Sequence, residues 1–317
     1  QAILAQGIPV QAAPAQEPPP PAMPKHHEVR ERLRRAQEER KAEGKPRQGG
    51  PLALRAEETA AILRGGGYTS PLDGSWVELA EPMRRSVEAS SFHLAEEALP
   101  RPVEGWPTRR VTFQRGTSFG VARSRLQPPE DGGPPAGSRV CVLNFASAKH
   151  PGGGWRSGAV AQEEELARAS GLYPTLTRHM GMYSSCPAGL YSDRMIYSPG
   201  VPVFRDDEGR LLPEPFLCDV ISAAACNVKG LKGKDKARLE ETMRRRTRRV
   251  IELAKSKGAE CLVLGAWGTG VFGLDPEDVA FWFREALAEV CFEEVVFAIP
   301  DPRKLAAFED VFAEEEE

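Results

Sequence analysis

Three consecutive glutamates stand a short distance after a triplet of glycines, and together they are the part of the chain best suited to chemistry. The glycines are Gly152, Gly153 and Gly154, and the glutamates are Glu163, Glu164 and Glu165. Carboxyl groups held beside a ligand are common agents of general acid–base catalysis. Glycines let a ligand approach the backbone closely, and free N–H groups at a helix start favour an anionic or polar ligand. The combination indicates a binding site with carboxyl groups next to it.

The three glutamates open a helical pattern, so their side chains point in different directions. Successive side chains on a helix diverge by ~100°. We therefore expect one glutamate to face the ligand, a neighbour to hold it in place and the third to point away. The alternative is that acidic residues simply favour helix N-termini. The glycine triplet favours a site, because a helix that needs only charge at its start does not need three glycines upstream.

Two physical constraints limit what these carboxyl groups can do. A helix N-terminus lowers the pKa of a carboxyl group, whereas a general acid at neutral pH needs a raised pKa, so burial against a ligand has to dominate. A standard glycosidase places two carboxyl groups ~5 to 9.5 Å apart on opposite sides of the bond. Neighbouring helix residues do not straddle a bond in this way. One glutamate must then act first as acid and then as base, unless a group of the substrate shares the work.

A second glycine-rich stretch occupies residues 265–273. It does not match the GxGxxG pattern of dinucleotide-binding folds, and it has no lysine at a P-loop position, so nucleotide hydrolysis is not indicated. Its bare backbone can instead wrap a diphosphate with N–H groups, supported by the start of the helix predicted after Asp275. A plain tight turn is the alternative.

Alternating strands and helices are predicted to position both stretches. Apolar runs at residues 140–143 and 261–264 indicate buried strands that lead into the two glycine-rich loops. Further strands or extended segments are predicted at 111–114, 195–204, 216–223 and 294–299, and helices at 55–63, 77–89, 118–126, 162–170, 235–257, 275–287 and 303–312. Thr117 is the expected N-cap of the third helix. The alternation predicts an α/β sheet between helices, with ligands bound beyond the carboxyl ends of the strands.

The composition of the 317 residues argues against several classes of function. The formal net charge is only −3, so nothing in the overall balance demands a nucleic acid or an anionic membrane. The arginine-rich residues 244–249 can contact phosphates, but a solvated helix face is the simpler interpretation. No apolar run approaches the ~20 residues that span a bilayer. The six cysteines form no CxxC pair, which argues against zinc or redox chemistry and for a reducing, cytoplasmic location.

The first part of the chain differs from the rest. Residues 1–51 are rich in Ala, Pro, Gln and charge, and we expect them to be mostly disordered, with a solvated helix as an option at 28–43. A basic nucleic-acid-binding arm is the alternative. The first residues carry neither an initiating Met nor a positive n-region and do not indicate an intact signal peptide. Residues 52–137 are predicted to form an N-terminal helical extension with the first strand, and residues 138–317 the core.

Together these motifs resemble a known family of enzymes. The glycine triplet followed after seven residues by Gln162-Glu163-Glu164 is similar to the signature of poly(ADP-ribose) glycohydrolases, and residues 144–151 resemble the microbial type. The likeness extends to residues 55–69, 195–207 and 265–273, and thus spans most of the chain after residue 52. The resemblance implies a three-layer macrodomain with a mixed sheet between helices, plus an N-terminal helical extension.

The resemblance also implies roles for individual residues. Glu164, the second glutamate of the signature, is expected to be catalytic, and Glu163 to hydrogen-bond the ribose hydroxyls of the terminal unit. The other expected substrate-binding residues are Asn144, Gly152, Gly153, Gly154 and Gln162 around the ribose, and Gly268, Thr269, Gly270, Val271 and Phe272 around the diphosphate. Phe272 is expected to pack beside the distal ribose. A one-residue shift of the helix would transfer a role to Glu165.

The implied reaction is hydrolysis of ribose–ribose glycosidic bonds at chain ends, which releases ADP-ribose. Glu164 would protonate the leaving hydroxyl as an oxocarbenium-like centre develops, and would then activate water. No metal and no cofactor is implied. The expected partners are poly(ADP-ribose) and ADP-ribosylated proteins, without nucleic acid or membrane, and a monomer is favoured. Two alternatives stay open: a non-catalytic macrodomain that binds ADP-ribose, and a hydrolase that removes single ADP-ribose units from proteins.

Overall fold

The computed structural model of this chain describes residues 50–99, 108–127, 139–184 and 186–313. The predicted tail lies outside these ranges, apart from residues 50 and 51. Pro51 is already the first residue of a helix, a position that suits proline because the N–H it lacks would have no helical partner there. The division of the chain after residue 137 stays a prediction.

A mixed sheet of seven strands forms the centre of the described chain. Two further strands, β1 (Gly67–Thr69) and β2 (Trp76–Glu78), form a separate small sheet. The seven strands of the central sheet are β3 (Ser91–His93), β4 (Val111–Gln114), β5 (Val140–Phe145), β6 (Met195–Arg205), β7 (Leu211–Ala223), β8 (Cys261–Leu264) and β9 (Glu294–Ala298). The sheet order is β3-β6-β7-β5-β8-β9-β4. Strand β6 is antiparallel to both β3 and β7, and all other neighbouring strands are parallel. The carboxyl ends of β7, β5, β8, β9 and β4 therefore meet at one edge.

Helices cover both faces of this sheet. They are α1 (Pro51–Gly65), α2 (Ala80–Ala89), α3 (Ser118–Leu126), α4 (Gln162–Ala169), α5 (Leu172–Arg178), α6 (Leu239–Ser256), α7 (Pro276–Ala288) and α8 (Pro302–Ala313). Side chains of α6, α7 and α8 share one apolar core with the sheet, and those of α3, α4 and α5 share another. The predicted three-layer α/β architecture is confirmed. No helix of the described chain has the length and apolar character that a membrane span needs.

Strand β5 shows how one short run supports both layers. Its first five residues are buried, as is usual for a parallel strand covered on both faces. Cys141 and Leu143 belong to the core with α6 to α8, whereas Val140 and Val142 belong to the core with α3 to α5. Side chains alternate along a strand, so both cores need apolar residues here. The strand then leads to the first glycine-rich loop at the carboxyl edge of the sheet.

The predicted helix at 77–89 is wrong at its start. Helix α2 begins at Ala80, and the residues before it form β2, which pairs with β1 in a small antiparallel sheet. The carboxylate of Glu78 accepts a hydrogen bond from the N–H of Ala80 at 2.7 Å. This side chain satisfies one of the N–H groups that a helix leaves free at its first turn, and so helps to begin the helix there.

Three other predicted elements differ at their ends. The helix predicted at 235–257 starts at Leu239, after a 3-10 segment at Gly233–Arg238. The helix predicted at 162–170 ends at Ala169, and α5 follows with Pro174 in its first turn, where proline is tolerated. The strand or extended segment predicted at 195–204 is one strand, β6, which continues to Arg205 and has a bulge between Ser198 and Val201.

The arginine-rich residues 244–249 lie in α6, and the predicted solvated face is wrong for one of them. Arg246 is buried, and its guanidinium donates to Asp193 at 2.8 Å and to the carbonyls of Leu190 and Ala224 at 2.8 Å each. A buried charge needs such partners, because an unpaired charge in the interior is very costly. The sequence pattern did not reveal this role, since Asp193 lies far away in the chain.

Candidate active site

The first glycine-rich loop leaves the sheet at the end of β5 and leads into α4. Gly152 and Gly153 have positive φ, +70° and +56°, a conformation that other residues rarely adopt. A Cβ atom on Gly153 would also overlap Oε1 of Glu164 and would lie 3.2 Å from Oε2 of Glu163. Glycine is needed here because two carboxylates occupy the space that a side chain would fill.

Backbone N–H groups of this loop hold both carboxylates. Glu163 accepts from the N–H of Ser147 at 2.7 Å and from that of Gly152 at 3.2 Å. Glu164 accepts from the N–H of Gly154 at 3.0 Å, through Oε1. Both glutamates are buried, with relative exposures of 3% and 9%. The first turn of α4 therefore presents two acids whose orientation the loop determines.

The N–H groups of the glycine triplet are consequently not free for a ligand. The remaining one, that of Gly153, donates to the carbonyl of His150 at 3.0 Å. The expectation of unpaired N–H groups at this loop is wrong, because the protein's own carboxylates and a turn carbonyl accept them. Glu165, in contrast, is exposed. The three glutamates thus diverge as successive helix positions should.

Burial changes the acid–base properties of Glu163. Removal from water raises its pKa from 4.5 to about 8, although the N–H of Ser147 opposes the rise, and the neighbouring carboxyl of Glu164 adds to it. The helix N-terminus, which favours a carboxylate, does not prevent this rise. A carboxyl group of this kind keeps its proton at neutral pH.

Gln162 joins the start of α4 to the end of β5. Its Oε1 accepts from the N–H of Phe145 at 2.8 Å, and its Nε2 donates to the carbonyl of Leu143 at 2.7 Å and to Oγ of Ser118 at 3.0 Å. These bonds determine where the following two glutamates lie. The amide that was predicted to bind substrate contacts protein groups, so in the free protein Gln162 positions the helix.

Asn144 is completely buried at the end of β5. Its Nδ2 donates to Oγ of Ser222 on the adjacent β7 at 2.9 Å, and its side chain also helps to lower the pKa of Glu163 by hydrogen bonding. Its Oδ1 has no hydrogen-bond partner within the described chain. Buried polar atoms without partners are rare in folded proteins. The unpaired oxygen marks a position where a hydroxyl group of a ligand can donate.

The second glycine-rich loop follows β8, the strand next to β5. The N–H and the hydroxyl of Thr269 both donate to the carbonyl of Ala266, at 3.3 and 2.9 Å. Among the described residues, no acceptor meets the next three N–H groups, those of Gly270, Val271 and Phe272. Successive unpaired N–H groups form a concave site that attracts anionic oxygen atoms. This loop therefore offers what the first loop was expected to offer.

Phe272 anchors the far end of the second loop. Its ring packs against Tyr191 with centroids 5.8 Å apart, and its carbonyl accepts from the N–H of Val228 at 2.9 Å. Val271, one residue earlier, is 66% exposed. The loop is thus fixed at Phe272 and presents its preceding residues to solvent.

A cavity of about 440 Å³ lies beside the second loop. Its walls include Phe145 at the end of β5, residues 266–272 after β8, Phe119 after β4 and Pro300 after β9. Gln162 and Glu165 also line it, but Glu163 and Glu164 do not. The cavity has the size of a small-molecule site, since such pockets typically measure roughly 300–1,000 Å³. Its walls also include Ala225 after β7, Arg55 of α1 and Arg205 of β6, so it extends beyond the ends of β9 and β4.

The sequence predictions missed the walls that β4 and β9 contribute. They identified the glycine-rich segments after β5 and β8, whereas Thr117, which follows β4, was interpreted only as a helix cap. That cap is confirmed, because Oγ1 of Thr117 accepts from the N–H of Gly120 at 3.0 Å. A signal for the site was present: the rule that ligands bind at carboxyl ends applies to every parallel strand.

Carboxyl groups, three arginines and one lysine are the charged side chains that line the cavity. Arg168 is buried behind the first loop, and its Nη1 donates to the carbonyls of Trp155 at 3.2 Å and Ala159 at 2.9 Å. It thereby holds the segment between the glycine triplet and α4. In the described parts of the chain, no three His, Cys, Asp or Glu side chains cluster in a way that would hold a metal ion.

Two comparisons connect this geometry with known proteins. Residues 56–206 match the family model described as microbial-type PARG, catalytic domain. The structure resembles poly(ADP-ribose) glycohydrolase from Thermomonospora curvata, with 38% sequence identity and a TM-score of 0.73, over 82% of this chain and 99% of that one. This chain belongs to the microbial-type poly(ADP-ribose) glycohydrolase family. Its class is thus that of a glycosidase acting on poly(ADP-ribose), and the resemblance seen in the motifs is confirmed.

Other solved poly(ADP-ribose) glycohydrolases are similar as well. The T. curvata enzyme bound to the inhibitor ADP-HPD is 37% identical, with a TM-score of 0.71, over 82% of this chain and 98% of that one. The enzyme from Deinococcus radiodurans in complex with ADP-ribose is 35% identical, with a TM-score of 0.63, over 73% of this chain and 97% of that one. A search of curated protein sequences found no match.

The N-terminal extension of this glycohydrolase packs directly on the first loop. Ala56 and Ala60 of α1 form a small apolar cluster with Trp155 and with Ala167 of α4. Trp155 is buried, and its ring lies 5.0 Å from that of Tyr173. Helix α1 therefore braces the segment that carries the N–H groups bound to the two glutamates.

Proposed function

We propose that Glu164 is the acid–base residue of this glycohydrolase, that Glu163 positions the ribose, and that the enzyme releases ADP-ribose from chain ends. The observation that carries the proposal is the contrast between two loops on adjacent strands. The N–H groups of the first loop hold two buried carboxyl groups, whereas three N–H groups of the second loop, those of residues 270–272, meet no acceptor in the described chain. A diphosphate beside a pair of acids is what cleavage of a glycosidic bond in poly(ADP-ribose) requires.

The parts of an ADP-ribose unit match successive parts of the site. The diphosphate fits the three unpaired N–H groups of residues 270–272. The adenosine fits the part of the cavity of about 440 Å³ that lies on the β9 and β4 side. The distal ribose then lies on the β7 side, toward Phe272, Glu163 and the unpaired oxygen of Asn144. A bound unit spans the edge of the sheet in this order.

The reaction needs one proton and one water molecule. Glu164 gives its proton to the leaving hydroxyl oxygen while the bond to the anomeric carbon breaks and positive charge develops on the ribose ring. The carboxylate then takes a proton from water as the water oxygen bonds to the anomeric carbon, which restores the acid. Of the two carboxyl oxygens of Glu164, only Oε1 accepts a hydrogen bond from the described chain. Its other oxygen is available for these transfers.

Glu163 acts beside Glu164 as a positioning residue for the ribose. Its two oxygens each accept a backbone N–H, so its orientation is determined before substrate binds. Its pKa of about 8 keeps a proton on the carboxyl group at neutral pH. Two adjacent carboxyl groups resist ionising together, so the pair brings a proton into the reaction.

The test is to incubate the protein with poly(ADP-ribose) and to measure the release of free ADP-ribose. Glu164→Gln should lower kcat by about 10²-fold or more, because it removes a general acid–base group, and should leave ADP-ribose binding intact. Glu165→Gln is the matched control, one residue away on the same helix; its side chain lines the cavity and does not belong to the acid pair, so kcat should stay at the parental value. Loss of turnover in Glu165→Gln but not in Glu164→Gln would transfer the role to Glu165.

The size of the products tests the chain-end preference. A chain-end enzyme releases ADP-ribose from the first minutes while long polymer persists, whereas internal cleavage produces oligomers early. A protein carrying a single ADP-ribose unit is the second substrate. Removal of that unit at a rate comparable to polymer cleavage would favour the single-unit hydrolase instead. Binding to ADP-ribosylated proteins, a monomeric state and a cytoplasmic location stay predictions.

A further inference from the structure

The diphosphate loop supplies neutral N–H donors, yet a diphosphate carries two negative charges at neutral pH. The cationic side chains that line the cavity are Arg55, Arg168, Arg205 and Lys304. Dipoles alone compensate a charge less well than an ammonium or guanidinium group does. The location and the partners of these four cations therefore decide which of them is available to the substrate.

The three arginines are engaged with protein groups on the α1 side of the cavity. Arg205 forms an ion pair with Glu58 at 3.0 Å. Arg168 binds the two carbonyls of the first loop through Nη1, and its Nη2, which has no hydrogen-bond partner in the described chain, lies on a residue that is only 2% exposed. Arg55 donates to the carbonyl of Glu208 at 2.8 Å. Each guanidinium thus contributes to holding α1, α4 and the β6–β7 turn together.

Lys304 differs from them in both respects. It lies in the first turn of α8, after β9, and its Nζ donates to the carbonyl of Thr269 at 3.3 Å. Thr269 immediately precedes the three free N–H groups. Among the described residues, no carboxylate lies within ion-pair distance of this ammonium group. The carboxylate of nearby Asp301 accepts the backbone N–H groups of Arg303 at 2.9 Å and Lys304 at 3.4 Å.

We propose that Lys304 is the charge partner of the substrate diphosphate, which rests on the proposed placement of the diphosphate at residues 270–272. Its long bond to a neutral carbonyl is easily exchanged for a charge-assisted bond to a phosphate oxygen, which is the stronger of the two. An ammonium group has three donors on a flexible stem, so Lys304 can keep its contact with the loop while it binds a phosphate. The residue therefore determines selectivity for a diphosphate-bearing ligand.

A purely structural role predicts a different pattern of binding. If Lys304 only braced the loop, its removal would disturb the whole cavity and would weaken every ligand that occupies it. If Lys304 neutralises the diphosphate, its removal weakens ADP-ribose and spares adenosine, which fills the same cavity without a phosphate. The comparison of these two ligands separates the two roles.

The experiment measures ADP-ribose affinity by calorimetry and adenosine affinity by competition, for the full chain and three variants. Lys304→Gln should weaken ADP-ribose about tenfold, as expected for one partly exposed charge-assisted contact, and should change adenosine less than twofold. Lys304→Arg, which keeps the charge, should recover most of the affinity. Arg303→Gln is the matched control, because it removes an exposed cation from the preceding position of α8, and it should bind both ligands normally.

Salt and kinetics provide two further readouts. The ADP-ribose affinity of the parent should fall as salt increases from about 0.05 to 0.5 M, because salt screens the charge of Lys304. The affinity of Lys304→Gln should fall less, because this variant lacks that charge. KM for the polymer should rise in Lys304→Gln while kcat stays within twofold. Equal weakening of adenosine and ADP-ribose, or no weakening of either, would overturn the proposal. A parent protein that does not bind ADP-ribose would instead contradict the proposed function.

Discussion

The two glycine-rich loops lie on adjacent strands and have similar compositions, but they use their backbones in opposite ways. The N–H groups of Gly152 and Gly154 are consumed inside the protein, by Glu163 and Glu164. The N–H groups of residues 270–272 meet no acceptor within the described chain. One loop orients two carboxyl groups, and the other is proposed to bind an anion. A glycine-rich loop therefore does not by itself indicate a ligand site; what matters is where its N–H groups point.

The space around the glycines shows the same contrast. A side chain on Gly153 would overlap the carboxylate of Glu164, whereas a side chain on Gly270 would meet nothing within 4 Å. The first glycine is required by the protein itself. The second is required only if a ligand occupies the open space beside it. Substitutions at these two positions therefore distinguish the jobs of the two loops.

The largest expected effect is that of Gly153→Ala. The new Cβ pushes the Glu164 carboxylate away from the Gly154 N–H, and misplacing a catalytic group by about 1 Å can cost roughly 10² in rate. The left-handed backbone also costs about 1–2 kcal/mol of stability once a side chain is present. Release of ADP-ribose and urea unfolding measure the two effects.

Gly200→Ala is the matched control for this substitution. Gly200 has nearly the same φ, +57°, but a Cβ there meets nothing within 4 Å. The control should lose about the same 1–2 kcal/mol of stability and keep the parental kcat. If both variants were equally active, the first loop would not position the catalytic carboxylate.

A smaller effect is expected from Gly270→Ala, and it should be confined to binding. The free protein has room for the methyl group, so the free energy of unfolding should change by less than about 1 kcal/mol. In the complex the methyl group competes with the diphosphate, and overpacking of about 1–2 kcal/mol corresponds to roughly tenfold weaker ADP-ribose binding. Calorimetry and urea unfolding measure the two quantities. ADP-ribose binding as tight as that of the parent would place the diphosphate elsewhere.

The smallest effect concerns the pH dependence of stability through Glu163. Its pKa is raised from 4.5 to about 8 on folding, so the folded state binds the proton more tightly than the unfolded state. The resulting stabilisation is fully present below pH 4.5 and is lost as the pH rises toward 8. Glu163→Gln cannot ionise, so its free energy of unfolding should fall less over this window. The comparison uses the slope of the free energy of unfolding against pH, not its absolute value, because the glutamine amide in Glu163→Gln also alters the two hydrogen bonds of this side chain.

Urea unfolding at several pH values between 4.5 and 8.5 tests this slope. Glu214→Gln, at an exposed position of β7, is the control and should keep the parental slope. If the parent and Glu163→Gln showed the same slope, Glu163 would be ionised in the folded protein at neutral pH. The two carboxyl groups held by the first loop would then carry no shared proton at neutral pH.

Much of the fold was predictable because its signals are local. The buried runs of β5 and β8, the cap at Thr117 and the helix start at Asp275 each depend on a few neighbouring residues. The short strands β1, β2 and β3 were not predicted, since three-residue strands carry almost no periodicity. The burial of Arg246 was also missed, because its partner Asp193 is contributed by a distant segment.

The sequence alone determined the family, the acid pair and the two loops, because glycine spacing and a glutamate run are local patterns. Only the tertiary structure decided how those parts are used. It showed that N–H groups of the first loop donate to Glu163 and Glu164 and that burial raises the pKa of Glu163. It also showed that the ammonium group of Lys304 donates to the carbonyl of Thr269. Each of these facts depends on atoms that folding brings together at the carboxyl edge of the sheet, where distance along the chain carries no information.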